Sequence, residues 1–139
     1  LDLIHATLAS PTVVNGAAIF VNSGTAHITN TIIASHTTGI QQTGGTASED
    51  YNLFFGNTTD RVGIGVGANS LTGNPAFANL TIDDYKLTAS SVAINKGLGV
   101  GVSNDFEGET RPQGVAPDIG YDESPFATLT YIYLPLVSK

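Results

Sequence analysis

The run HITNTIIAS, His27 to Ser35, decides how the rest of the chain is read. Its first half alternates: Ala26 and Ile28 fall on one side of an extended strand and His27 and Thr29 on the other, because successive strand residues face opposite ways. Asn30 then interrupts the alternation with a short polar side chain that can bond local backbone and accept a bent or left-handed conformation. Bare aliphatics follow. The pattern reads as a strand, a corner and a second strand.

Two other stretches repeat it, LIHATLAS (Leu3 to Ser10) before and EDYNLFFGN (Glu49 to Asn57) after. Aligned on the central polar residue, His5, Asn30 and Asn52 stand 25 and 22 residues apart. They are followed in turn by Thr7, Ile32 and Phe54, by Leu8, Ile33 and Phe55, and by Ser10, Ser35 and Asn57. A period of about 20–25 residues marks a solenoid, whose repeats cannot bury their own apolar faces and must cover one another. The reading is an all-β chain of stacked coils over residues 1–97, with His5, Asn30 and Asn52 as a vertical ladder on one corner. An antiparallel sandwich is the competing reading, since NG at Asn15 and Gly16 and TGG at Thr43 to Gly45 are also hairpin punctuation.

Composition agrees with one folded β unit. The 139 residues are 41% hydrophobic, enough for a core, while only 12% are charged, so the polar surface falls to Thr, Ser, Asn and Gly. Twelve acidic against five basic side chains give a net charge of −7, which argues against a phosphate-neutralising surface and hence against nucleic acid as a partner. Cys is absent, so neither a disulfide framework nor a thiolate site is available. No apolar run is long enough for a membrane span, and LDLIHATL does not read as a signal peptide; Leu1 reads as the inside of a longer or processed product.

Beyond the repeats come NPAFAN (Asn74 to Asn79), DYKLTASSVAINKG (Asp84 to Gly97) and DFEGETRPQGVAPDIGYDE (Asp105 to Glu123). In this order they resemble the C-terminal part of the right-handed parallel β-helix proteins called choice-of-anchor Q domain proteins, with the resemblance covering roughly Ala17 to Glu123. Ser91, Ala93, Ile94, Asn95 and Gly97 match that family's YxLxxxSPAIDxG pattern, with Val92 for Pro and Asn95 for Asp. Asp105, Gly108, Arg111, Pro112, Asp118, Ile119, Gly120 and Glu123 match its DxxGxxRPxxxxxDIGAxE pattern, without the usual Ala after Gly120. The resemblance implies a right-handed parallel β-helix of a few coils, an irregular closing segment over 98–124, and a secreted or surface-exposed setting. It implies no activity.

The chemistry of β-helix enzymes requires residues that the repeats do not carry. Between Leu3 and Thr59 the only acids are Glu49 and Asp50, with no Lys or Arg, so the repeats lack the paired carboxylates or base-and-cation sets of glycosidic cleavage. His5, His27 and His36 match no compact zinc spacing. GIGVGA (Gly63 to Ala68) imitates a dinucleotide fingerprint but leads into loop rather than helix, and reads as a flexible connection. Asp105, Glu107 and Glu109 fall at alternate positions, so three carboxylates crowd one side of an extended chain. Arg111 pairing with Asp118 or Glu109 is the favoured remedy; the alternative is a calcium ion held by Asp105, Glu107, Glu109 and Asp118, the only cofactor entertained.

The last stretch, 125–139, alternates without a polar face and reads as a terminal strand for attachment, capping or assembly through Tyr131, Ile132, Tyr133, Leu134, Pro135 and Leu136. Tyr51 and Tyr85 are candidates for stacking on sugar rings, whereas Phe54 and Phe55 are assigned to the interior. The functional expectation is a non-catalytic structural module, extracellular or on the cell surface, that self-associates into a filament or layer or attaches through its ends. Its rival is a module that binds or degrades polysaccharide.

Overall fold

The computed structural model describes residues 1–126. The expected assembly residues Tyr131 to Leu136 lie outside that range. Strands β1 (Asp2–Ile4), β2 (Thr7–Val21), β3 (Thr25–Thr29), β4 (Ile32–Gln42), β5 (Thr46–Asp50), β6 (Leu53–Phe55) and β7 (Thr59–Val62) wind through three coils, and β8 (Leu71–Thr72) begins a further layer. β1, β3 and β5 stack as one parallel sheet; β2, β4, β6 and β8 stack as another, with β7 beside the later part of β4. The chain is therefore a parallel β-solenoid and not an antiparallel sandwich.

The stacking register differs from the sequence alignment in one respect. Thr29 pairs with Asp50 and Ile32 with Leu53, so coils two and three are offset by 21 residues and Tyr51, not Asn52, stands over Asn30. His5, Asn30 and Tyr51 all adopt the left-handed conformation, with φ of 50, 52 and 56°, and this shared twist makes the corner. The longer first coil has a local cause: pairs Ala9–Ala34, Val14–His36 and Ala17–Thr38 place extra residues in β2, including Asn15 and Gly16, which form a bulge rather than a hairpin.

β4 is apolar on both sides because it is covered on both sides. Ile33 and Ile40 point into the tube with Ile19, Val21, Ala26, Ile28 and Phe54. Ile32 and Ala34 face outward beneath Leu53, Leu87, Ala93 and Ile119. Each fully buried Ile, Leu or Phe contributes about 1.5–3 kcal/mol, so this double-sided strand is the energetic spine of the molecule.

Stacked parallel strands end at Thr72, short of the boundary at residue 97 expected from sequence. β9 (Phe77–Asn79) and β10 (Asp84–Leu87), joined through a short 3₁₀ turn at Leu80–Ile82, pair antiparallel and lead into the closing segment. The GIGVGA stretch is tightly laid rather than slack. A Cβ on Gly63 would run into the carbonyl of Gln42, and one on Gly67 into the carbonyl of Glu49. Gly67→Ala is expected to lower stability by about 1–3 kcal/mol, as overpacking against fixed backbone does, read as a drop in thermal midpoint; an unchanged midpoint would show that this loop yields freely.

Candidate functional site

The polar groups of this protein gather on the corner and on the segment that covers it. Asn52 uses its whole side chain to mend the break in the ladder: Oδ1 accepts from Thr31 N at 2.8 Å, and Nδ2 donates to Ile28 O at 2.9 Å in the coil below. Asn57 does the same at the next bend, accepting from His36 N at 3.0 Å and donating to Ile33 O at 2.9 Å. In both cases the partners lie 21 and 24 residues earlier. The repeated device is thus an Asn that bonds the previous coil's main chain, in place of the expected Asn-on-Asn ladder.

Asn30 turns sideways instead. Its Nδ2 donates to Leu98 O and its Oδ1 accepts from Leu98 N, both at 2.8 Å, while its carbonyl accepts from Gly120 N at 2.8 Å. The same Nδ2 lies 3.0 Å from His5 Nε2. Gly120 has a φ of 107°, and a Cβ there would press on Ile32 and Thr7, so glycine lets the closing segment lie flat on the corner. Tyr121 N completes the seam by donating to Thr7 Oγ1 at 3.2 Å.

This segment contains little regular structure, and carboxylates take over the role of a ladder. Asp118 accepts from Asn95 N at 2.7 Å and Ser124 N at 2.8 Å; Glu123 accepts from Gln113 N at 2.8 Å and Asp118 N at 2.9 Å. Asp105 accepts from Glu107 N, Glu109 N and Glu123 N at 2.8–3.0 Å. At the centre, Arg111, 4% exposed, donates to the carbonyls of Asp118, Gly120 and Tyr121 at 2.9, 3.3 and 2.8 Å. Its carboxylate partner is Glu123, at 3.1 Å. The expected pairing with Asp118 or Glu109 is replaced: only Glu123 brings its carboxylate to the buried guanidinium, while Asp118 offers Arg111 its main-chain carbonyl and turns its carboxylate to the amides of Asn95 and Ser124, and Glu109 is exposed.

The metal candidates need the same revision. Ligand oxygens of Asp105, Glu107, Glu109 and Asp122 lie within 4.8 Å of one another, so Asp122 takes the place expected for Asp118. These four are the residues that could hold a divalent cation. Lys86 already supplies positive charge there through a 2.7 Å ion pair with Glu107, and Asp122 accepts from Leu87 N at 2.8 Å. Burial, reinforced by the neighbouring acids, pushes the Asp122 carboxyl above the usual range despite that amide.

His5 sits at the meeting point of coil and cover, with Nδ1 2.9 Å from Arg111 Nη1. Burial and then the adjacent guanidinium lower its pKa from 6.5 to about 4, outweighing the nearby carbonyls of Gly120 and Asp118. A groove of about 420 Å³ opens beside it, lined by Val102, Val115, Ala116 and Pro117 among others. Of its three polar side chains, His5 and Arg111 direct ring and Nη nitrogens into the structural contacts just described, and Ser103 Oγ donates to Asn104 Oδ1 at 3.2 Å. The groove is thus offered as apolar wall.

A second buried network lies inside the third coil. Glu49 accepts from Arg61 Nε at 2.7 Å, Gly67 N at 2.6 Å and Asn52 Nδ2 at 2.9 Å, and from the Ser70 hydroxyl. Burial opposes its charge, but these bonds prevail and hold the carboxyl below the ordinary glutamate range. Arg61 also lies over the Phe54 ring, 3.8 Å from its centroid.

The remaining sequence candidates are dispersed. Tyr51 occupies the third corner, while Tyr85 lies on β10, edge-on to Phe77 at 5.2 Å and bonded to Asp83. Phe54 is fully buried, as expected, but Phe55 is 37% exposed. His27 pairs with Ser48 at 2.7 Å, away from His5. Among the described residues no helix is long and apolar enough to cross a membrane. No family model, curated protein or solved structure matches the chain.

Proposed function

We propose that this chain is a non-catalytic structural module acting outside the cell or on its surface, a short β-solenoid held shut by its closing segment. One observation carries the reading: Glu49, Arg111, Asp118, Asp122 and Glu123 are buried, and each bonds main chain, so the groups best suited to chemistry act as staples. The resemblance of the closing segment to choice-of-anchor Q domain proteins supports the same reading and the extracellular setting. Among the described residues β1 and β2 have a paired strand on one side only, and such edges recruit further strands. Self-association through that edge and through residues 131–136, or attachment of the module at a cell surface, follows as part of the proposal.

Light scattering across a concentration series, run beside a panel of polysaccharides, tests it. The expected result is a particle size that grows with concentration, is reduced by removing residues 127–139, and is indifferent to glycans. A saturable response to one polysaccharide, or release of sugar products, would overturn the non-catalytic reading, and a single fixed size at every concentration would overturn self-association.

A further inference from the structure

The contact between His5 and Arg111 joins the first coil to the closing segment, and its chemistry is one-sided. A guanidinium only donates hydrogen bonds, so His5 Nδ1 must accept from Arg111 Nη1 across their 2.9 Å separation. On the other edge of the ring, Nε2 faces Asn30 Nδ2 at 3.0 Å, and that amide cannot turn over without losing both of its bonds to Leu98. Donors therefore stand at both ring nitrogens. The neutral ring carries its one proton on Nε2, towards the Asn30 amide; an imidazolium adds a second on Nδ1, set directly against the donor and full positive charge of Arg111.

We propose that this contact is an acid-sensitive latch: protonation of His5 unseats the closing segment from the coil corner while the stacked coils stay folded. The geometry supplies both halves of that statement. Gly120 N to Asn30 O, Tyr121 N to Thr7 Oγ1 and the paired Leu98 bonds all converge on the two corner residues flanking the ring, so displacing Arg111 disturbs the whole seam. The inner core of Ile19, Val21, Ile28, Ile33, Ile40 and Phe54 contains no residue of the closing segment.

The charges around the ring agree. From the closing segment Arg111 faces it directly, and the carboxylates of Glu123, Asp105, Asp118 and Asp122 gather around the guanidinium. From β1 the acid is Asp2, three residues before His5 and opposite His27 in the register; the corner after β3 presents the neutral Asn30, and the next rung presents Tyr51. The carbonyls of Asp118 and Gly120 favour the protonated ring, but both already accept from Arg111.

The sign is that of a group whose pKa falls on folding. Its stabilising contribution is complete above about 6.5, the value of the released ring, and is lost as the pH falls from there to about 4, the value of the seated ring. Between pH 7.5 and 5 the opening equilibrium of the seam is expected to shift by about 30-fold. Asp122 and Glu123 act oppositely, since carboxyls raised on folding add stability as pH falls through their folded values.

Hydrogen exchange on the whole chain, corrected for the intrinsic pH dependence of the amide rates, reads the latch directly. The amides of Leu98, Gly120 and Tyr121 are expected to lose about 30-fold of protection between pH 7.5 and 5, while those of β4 lose little. His5→Asn, which tolerates the left-handed corner, removes the titrating group and is expected to flatten that dependence; His27→Asn is expected to leave it intact. Equal pH dependence in His5→Asn and the unmodified chain would overturn the latch. Should His5→Asn not fold, imidazole titration by NMR of the unmodified chain decides: a His5 midpoint near 4 moving together with the closing-segment amides supports the proposal, and a midpoint near 6.5 overturns it.

Discussion

Arg111→Met is expected to lower the stability of the folded chain by about 3–5 kcal/mol, the cost of removing one partner from a buried ion pair. The side chain is 4% exposed, and its loss strands more than a charge. The carbonyls of Asp118, Gly120 and Tyr121 each lose a donor, and Glu123 is left as a buried carboxylate with two amides but no cation. Methionine fills much of the volume, so the loss is polar rather than steric. Arg111→Lys should rescue little, because one ammonium cannot reproduce the fork that reaches three carbonyls and a carboxylate together. Urea denaturation checks both variants. A midpoint for Arg111→Met close to the unmodified chain would mean that the closing segment adheres through Ile119 and Leu87 alone, and the stapling account would fail with it.

How far these features were legible in the residues depends on whether periodicity reaches them. His27 to Ser35 carries its own answer, because Ala26 and Ile28 face inward, Asn30 turns the chain, and Ile32 and Ile33 are covered on opposite sides. The register between coils was misplaced by one residue because Asn52 resembles Asn30 in chemistry while the aliphatic pair Ile32 and Leu53 governs the stacking. Repeating polar identity is weaker evidence than repeating apolar position. The bulge at Asn15 and Gly16 hid the true spacing further, since it lengthens one coil and not the next.

The closing segment was legible as a motif but not as a network. It has no alternation, so nothing in its spacing distinguishes Glu123 from Asp118 as the partner of Arg111; both are buried, and which carboxylate reaches the guanidinium is a property of the folded chain. The sequence marks His5 as a ladder residue, which its contact with Asn30 fits, yet its second neighbour stands 106 residues away. Glu49 drew notice only as one of two acids in the repeats. Its donors come from residues 3 to 21 positions distant, on the corner before β6, on β7 and in the loop before β8, and no local pattern announces them.

Glu49→Ala is expected to be about as damaging as the loss of Arg111, at about 3–5 kcal/mol, because Arg61 then keeps a largely buried charge without its partner. The Arg61 side chain is 13% exposed and already rests on the Phe54 ring, so it cannot leave for water without uncovering that ring. Gly67 N and the Ser70 hydroxyl lose their acceptor as well, which loosens the 63–70 loop and leaves it held to the third coil through Asn69 on Asp50 and β8 on β6. Glu49→Gln separates charge from shape, and its pH dependence has a definite sign. The native carboxyl titrates below the ordinary glutamate value of 4.5, so its contribution is complete above that pH and is lost as the pH falls through the folded value. The stability gap between the unmodified chain and Glu49→Gln should therefore be constant from pH 7 to about 5 and narrow as the pH falls below 4.5. This window lies under that of His5, where the loss begins at 6.5, so denaturation midpoints collected from pH 7 to 3 resolve the two. A gap that does not narrow at all as the pH falls from 4.5 to 3 would show that Glu49 acts through its shape and not through its charge.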